Sequence, residues 1–512
     1  MFKLLLRHYY QNIYQTIEMT FKLCIIAVIF SAANLFAQNN KPTDYLSPQF
    51  HKEKRDAFRL KMPKNAVAVF FSNPLRNRAN DVDFIFHQDP DYYYLTGYNE
   101  PNAVLVLFSE KQTLSDGTST NEILYVQEKN ARREQWTGIR LGVEGAKKEL
   151  GFAVVKNGSD FLKAQITFGK FDTILFKEFQ NDVRDEKSEA ANLYQLISAF
   201  KAQIDFDKES NAQNDPAELK TVNPTTSTPV RKTKLDTKSM LNFMAAMREI
   251  KTDEEIKLIT KAVRISAMGQ REIMKAMHPG MSEMEVQGVH EYVYKKYGSE
   301  YEGYPSIVGA GNNGCVLHYI ENTKLKVEND LVLMDLGAEY HGYTADVTRT
   351  IPANGKFSTE QQLIYDLVFQ AQEAGIAAVQ LGNSFNAPDA AARNVITEGL
   401  VRLGIAKSAM DARRFFPHGT SHHIGLDVHD PGTYQAFKPN MIVTVEPGIY
   451  IPIGSDCDKK WWGIAVRIED DILTTTKGPI NLSAEAPRSS SEIEKLMLEK
   501  SILDSFLLPK LD

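Results

Sequence analysis

The chain has 512 residues, 43% of them apolar and 24% charged, with a formal net charge of −6. Such a balance belongs to an ordinary globular protein with room for about three domains, and it carries no electrostatic footprint for nucleic acid. Three cysteines, Cys24, Cys315 and Cys457, are too few for a disulfide framework and leave one conceivable bridge, Cys315 to Cys457.

The amino terminus separates from the fold. Phe21 to Ala37 is an apolar run with Lys22 just ahead of its core. It reads as a secretory signal peptide over residues 1–37, cleaved after Ala37, with Met19 as an alternative start. The run is short for a spanning helix. An exported, periplasmic or secreted protein is therefore expected, with no stable membrane span once the leader is removed, or a cytoplasmic one if the run is not a signal.

Residues 45–200 read as an α/β domain. Ala66 to Phe71, Ala103 to Phe108 and Ile123 to Val126 are short continuous apolar runs bounded by turn residues, the pattern of buried strands. Between them Tyr92-Tyr93-Tyr94 reads first as packing with locally satisfied hydroxyls. Residues 205–238 are polar, aperiodic and proline-containing, which predicts a linker. A second domain is expected over 239–495, with 496–512 as a tail. Three of its helix starts carry capping boxes, Thr252-x-x-Glu255, Ser282-x-x-Glu285 and Ser358-x-x-Gln361. Strand-like runs alternate with these helices at Leu331 to Met334, Met441 to Val445 and Ile464 to Ile468. The fold class is α+β, with antiparallel strands that carry polar residues at their ends.

The stretch 331–350 organises the second domain. A buried strand ends in Asp335, a turn is signalled around Tyr340-His341-Gly342, and a β-branched run follows Asp346. A hairpin turning there sets Asp335 and Asp346 roughly opposite each other. Two carboxylates so placed need a shared proton or a cation, unless the hairpin is exposed and its acids solvated. Next comes His418-Gly-Thr-Ser-His422-His423-Ile-Gly-Leu-Asp427-Val-His429-Asp430. Four of the 11 histidines fall here, too many to expect from packing alone. Two further strands end in acids, at Glu446 before Pro447-Gly448 and at Glu469-Asp470-Asp471. Taken singly, each is a strand edge meeting solvent. Together they make a carboxylate-rich set with one imidazole, which suits Mn²⁺ or a similar divalent ion, with enough oxygens to bridge two ions.

Asp335 and Asp346 eleven apart, then His422, Glu446 and Glu469, resemble in order and spacing the dinuclear site of the pita-bread metallopeptidases. The flanking residues resemble those of the Xaa-Pro aminopeptidases (aminopeptidase P): Asn313-Gly-Cys-Val-Leu-His318-Tyr319, Gly425-Leu-Asp-Val-His-Asp430, Glu446-Pro-Gly-Ile-Tyr450, Arg467-Ile-Glu-Asp-Asp471 and, in the first domain, Tyr94-Leu-Thr-Gly-Tyr-Asn-Glu-Pro101 and Trp136-Thr-Gly138. Ile320, Ala345 and His423 depart from the usual pattern without removing a ligand.

The resemblance implies a pita-bread catalytic domain behind a smaller creatinase/aminopeptidase P-like domain. It implies two divalent ions, Mn²⁺ first, on Asp335, Asp346, His422, Glu446 and Glu469, with Glu446 also the general base for the attacking water. His318 and His429 would polarise the scissile carbonyl and hold the oxyanion. His418 and Arg467 would shape the substrate site, while Asp427 and Asp430 would be structural. The expected partners are peptides beginning Xaa-Pro, with no nucleic acid, and the expected assembly is a homo-oligomer. A prolidase restricted to dipeptides is the rival enzyme, with Arg467 the one candidate to capture a free proline carboxylate. A peptide-binding module that has lost its ligands is the rival class, opposed by the presence of all five ligand types.

Overall fold

The computed structural model describes residues 42–164, 166–206 and 233–505. The proposed signal segment lies outside them. Among the described residues, no helix is long and apolar enough to cross a membrane.

The first half is built on a six-stranded mixed sheet. Its strands run in the order Val155–Asn157, Ser119–Val126, Val104–Thr113, Ala66–Phe71, Thr173–Phe176 and Lys234–Asp236. The central strand Ala66–Phe71 pairs antiparallel with one neighbour (Val67 with Phe108) and parallel with the other (Val67 with Ile174). Both of its faces are covered, which is why the run is continuously apolar rather than alternating. Val67, Val69, Val104 and Val106 join one core cluster, and Phe70 meets Phe58 of the helix Pro48–Lys61 at 5.2 Å between ring centroids on the other face.

The expected linker is shorter than 205–238. Lys234–Asp236 is an edge strand, parallel to Thr173–Phe176 with Thr173 opposite Lys234. Asp236 then turns the chain into the helix Ser239–Arg248 by accepting hydrogen bonds from Lys238 N and Ser239 N. A three-residue strand with charged ends carries no periodicity, so it is silent in the sequence.

The tyrosine run forms the helix Pro90–Thr96. Asp89 caps it by accepting from Tyr92 N at 2.8 Å, and Gly97 ends it in the left-handed region at φ 67°, where a Cβ would meet the His51 ring at 2.7 Å. All three tyrosines are buried, and Tyr94 donates to Met247 O at 3.0 Å, so packing with a satisfied hydroxyl describes Tyr94 well.

In the second half, helices Asp253–Ala276, Glu283–Lys296, Thr359–Ala378 and Ala387–Arg402 surround antiparallel strands. The capping boxes at Thr252 and Ser358 form in full, and at Ser282 the hydroxyl accepts from Glu285 N. Strand Leu331–Asp335 lies between Ile307–Ala310 and Thr348–Pro352. Its register sets Asp335 against Thr348, not against Asp346. The expected turn at His341-Gly342 closes a smaller hairpin, Ala338–Tyr340 with Tyr343–Thr344, inserted between the two longer strands. Gly337 permits this double layer: a Cβ there would sit 2.0 Å from Ala345 O. The remaining strands are Ile442–Val445 with Asp470–Thr475, and Gly448–Ile451 with Ile464–Arg467. The architecture is α+β of the pita-bread kind, and its sheets point their polar ends into one cavity.

Candidate metal centre

Each acidic side chain is presented by the end of a strand. Asp335 closes Leu331–Asp335, Glu446 follows Ile442–Val445, and Glu469 stands between Ile464–Arg467 and Asp470–Thr475. The histidine segment lies along Ile442–Val445 as an extra strand would. Thr444 N donates to His422 O at 3.0 Å, Glu446 N donates to Thr420 O at 2.9 Å, and His423 bridges Val443. His422 and Glu446 thereby share one wall.

Asp335, Asp346, His418, His422, Glu446, Arg467 and Glu469 line a cavity of about 610 Å³. Ligand atoms of Asp346, His422 and Glu469 all lie within 4.8 Å of one another. Glu446 Oε1 is 3.7 Å from His422 Nε2, and Asp346 Oδ2 is 3.5 Å from it. His422 Nδ1–H donates to His423 O at 3.0 Å, which turns the Nε2 lone pair toward the acids. Asp335 faces the same floor with one oxygen 2.5 Å from Arg467 Nη2.

The charges here do not balance. Burial, then the neighbouring carboxylates, push Asp346 and Glu469 well above the usual carboxylate range. Burial also lifts Glu446 to about 7 and Asp471, which accepts from Asp346 N, to about 8. Burial acts on Asp335 in the same sense, but the Arg467 guanidinium and Tyr304 hydroxyl hold it below its ordinary value. One arginine thus faces a cluster of buried acids that cannot all ionise together. Oxygen-rich donors with one properly oriented imidazole fit a divalent cation, and a cation is what their charge lacks.

His318 and His429 both line the mouth and are exposed. The His429 ring stands edge-on to His422 at 4.5 Å. His418, lowered to about 4 by burial and then by Arg467, donates from Nδ1 to Gly419 O, so its Nε2 accepts from the Tyr450 hydroxyl at 2.8 Å. Arg467 Nη1 donates to that same oxygen at 2.9 Å.

Two matches to family models cover most of this architecture: metallopeptidase family M24 over residues 257–476, and the aminopeptidase P amino-terminal domain over residues 51–167. The chain is 33% identical to the Xaa-Pro aminopeptidase of Escherichia coli K12 over 469 residues, covering 88% of this chain and 98% of that protein. The chain belongs to metallopeptidase family M24. The Xaa-Pro aminopeptidase of Haemophilus influenzae is likewise 33% identical, over 87% of this chain and 96% of that protein. Among solved structures, aminopeptidase P II from Yersinia pestis superposes with a TM-score of 0.76 at 31% identity, covering 88% of this chain and 99% of that one. Aminopeptidase P from E. coli with the inhibitor Pro-Leu superposes at 0.74 and 32% identity, covering 89% and 99%.

Within this M24 site, several residues escaped sequence reasoning. The Tyr304 hydroxyl lies 2.5 Å from an oxygen of both Asp335 and Asp346, and Thr348 donates to Glu469 at 2.6 Å. Glu283, fully buried, accepts from Ala310 N, Asn313 Nδ2, Tyr319 and Lys324 N, and so ties down both ends of the loop bearing His318. In sequence, Glu283 is merely the second residue of a capping motif. His423 corrects the expectation that packing could not explain four histidines. It is wholly buried, tilted against Phe385 at 4.8 Å and edge-on to Tyr434 at 5.1 Å, and fills the space beside Gly432, a core residue next to a ligand. Cys315 and Cys457 are free thiols.

Proposed function

We propose that this chain is a metal-dependent aminopeptidase that releases the first residue from peptides with proline second. The observation that carries this reading is the convergence of four acids and His422 at the cavity floor, with two exposed histidines at its mouth, in an M24 chain spanning nearly the full length of Xaa-Pro aminopeptidases.

Asp335, Asp346, His422, Glu446 and Glu469 would hold two divalent ions, Mn²⁺ first because the donors are mostly oxygen. When bound, the metal supplies Lewis acidity and an acidified water. Glu446 accepts a proton from the attacking water and passes it to the leaving proline nitrogen, a role that suits a carboxylate lining the cavity beside His422. His429 donates to the developing oxyanion, with His318 as the second donor. Arg467 keeps Asp335 ionised and holds Tyr450, which orients His418. Its guanidinium also donates from Nε to Thr348, and the side chain is buried. It is therefore committed to shaping the site and is not free to capture a proline carboxylate, which removes the sequence argument for a dipeptidase.

The proposal also includes export with loss of residues 1–37, the expected domain limits apart from the 234–236 strand, and a homo-oligomer. The deciding experiment is hydrolysis of an Xaa-Pro-Yaa tripeptide by purified protein with Mn²⁺ added, products separated by chromatography. Free Xaa plus Pro-Yaa supports the reading. Cleavage of Xaa-Pro dipeptides alone refutes it.

A further inference from the structure

The loop that carries His429 is held from outside the catalytic sheets. Asp430, one residue on, is 1% exposed, and its two oxygens take different cations. Oδ1 accepts from Arg248 Nη2, and Oδ2 accepts from Lys251 Nζ at 2.9 Å. Its N–H donates to His423 O at 3.0 Å, and its carboxylate occupies the space beside Gly425, where a Cβ would come within 2.6 Å. Asp430 is thus fixed in both backbone and side chain.

Arg248 ends the helix Ser239–Arg248 and reaches the other way as well. Its Nη1 donates to Asp91 Oδ1 at 2.6 Å, and Asp91 sits in the tyrosine helix of the amino-terminal domain. Asp91 is paired in turn with Lys177 Nζ at 2.6 Å. One buried guanidinium therefore joins a carboxylate from the first domain to the carboxylate beside His429. The rigid fork of arginine lets separate nitrogens reach the two acids, whereas a lysine in its place would offer a single ammonium on a shorter reach. The His429 ring itself is exposed, with its backbone N–H on Asp427 Oδ1 at 3.2 Å. The place of the ring is set by the backbone of 427–430, and that backbone by Asp430.

We propose that Arg248 is a positioning residue for the peptidase reaction: anchored by Asp91 of the amino-terminal domain, it acts through Asp430 to hold the His429 ring over the site. This rests on the role given to His429 above. A catalytic donor displaced by about 1 Å costs on the order of a hundredfold in rate, so the anchor matters to chemistry as well as to folding.

The test is a double-mutant cycle in the full chain, with Arg248→Lys, His429→Ala and the pair assayed for kcat and KM on an Xaa-Pro-Yaa tripeptide at saturating Mn²⁺. Metal content and Tm are measured alongside. Arg248→Lys is expected to lower kcat by about ten- to a hundredfold, with metal content unchanged, and to cause no further fall in kcat in the His429→Ala background. An equal fall in both backgrounds, or a lowered Tm with kcat intact, overturns the proposal and leaves Arg248 purely structural. No loss of kcat in His429→Ala alone overturns the role of His429, and the proposal with it. If Arg248→Lys does not fold, Asp91→Asn, which leaves Arg248 and Asp430 in place, is judged by the same criteria.

Discussion

Two charge clusters of this molecule are built on opposite plans. Between the domains, Asp89, Asp91 and Asp430 meet Lys177, Arg248 and Lys251, three acids against three bases, each in a direct pair. At the cavity floor, Asp335, Asp346, Glu446, Glu469 and Asp471 outnumber the arginines that act on them, Arg467 and, at Asp471, Arg349, and burial drives most of those acids toward the protonated form. The first cluster is electrostatically complete: Asp91, despite the cost of burial, is held at about 2 by Lys177 and Arg248. The second is complete only with added positive charge. Asp91 and Asp430 are as buried as Asp346 and Glu469, so burial alone does not mark a functional site; the sign left over does.

Metal tests this contrast most sharply. Chelator should abolish turnover and divalent ion restore it. The same ion should raise Tm by mass action, about 2.7 kcal/mol of stabilisation at a hundred times its dissociation constant. Full activity, or an unchanged Tm, in protein shown by elemental analysis to be metal-free would break the comparison outright. Next in size is Glu446→Gln, nearly isosteric. It should cut kcat by about 10²- to 10⁴-fold, the usual range for a general base, while circular dichroism and cooperative unfolding persist. Retained turnover would move the base elsewhere. His318→Ala should lower kcat by about 10²-fold or more, the scale of a lost oxyanion donor, with metal content intact. Loss of metal instead would make His318 a ligand.

Sequence legibility follows the same division. Acids at strand ends could be read because apolar runs of period-free pattern stop at a carboxylate, as at Met334-Asp335 and Val445-Glu446. The partners of those acids could not. Tyr304 and Thr348 reach the site from positions that carry no signal of it, the bond from Asp346 N to Asp471 is not legible in the acid run that contains Asp471, and Glu283 reads as helix capping. Of the inserted hairpin at 338–344 the sequence signals only the turn, because Gly337 allows a chain crossing that only three-dimensional contact reveals. His423 shows the converse: its neighbours made it look chemical, and its burial makes it packing.

The balanced cluster predicts a loss of stability rather than of charge regulation. Lys251, with 0% side-chain exposure, donates to both Asp430 and Arg248 O. Lys251→Met should destabilise the chain by about 3–5 kcal/mol in denaturant unfolding, since it leaves one oxygen of the buried Asp430 carboxylate without its cation. A change under about 1 kcal/mol would mean that Arg248 alone compensates Asp430.

The smallest effect lies at the rim between the domains. His87 Nε2 is 2.8 Å from Glu339 Oε2, and the Tyr301 hydroxyl donates to Phe86 O beside it at 2.8 Å. The hydrogen bond to Glu339 raises His87 above its ordinary value, against burial and with help from the Glu339 charge, the Gln88 carbonyl and Asp427. A histidine whose pKa is higher when folded contributes stability that is fully present below its unfolded value, near 6.5, and is lost as pH climbs through the raised one. Wild-type protein should therefore lose a little stability from pH 6 to pH 8 that His87→Gln does not lose. With the ring 42% exposed, solvent screening keeps the difference under about 1 kcal/mol. Chemical denaturation of both proteins across that range measures it. Parallel curves would show that the pair exists without coupling the domains.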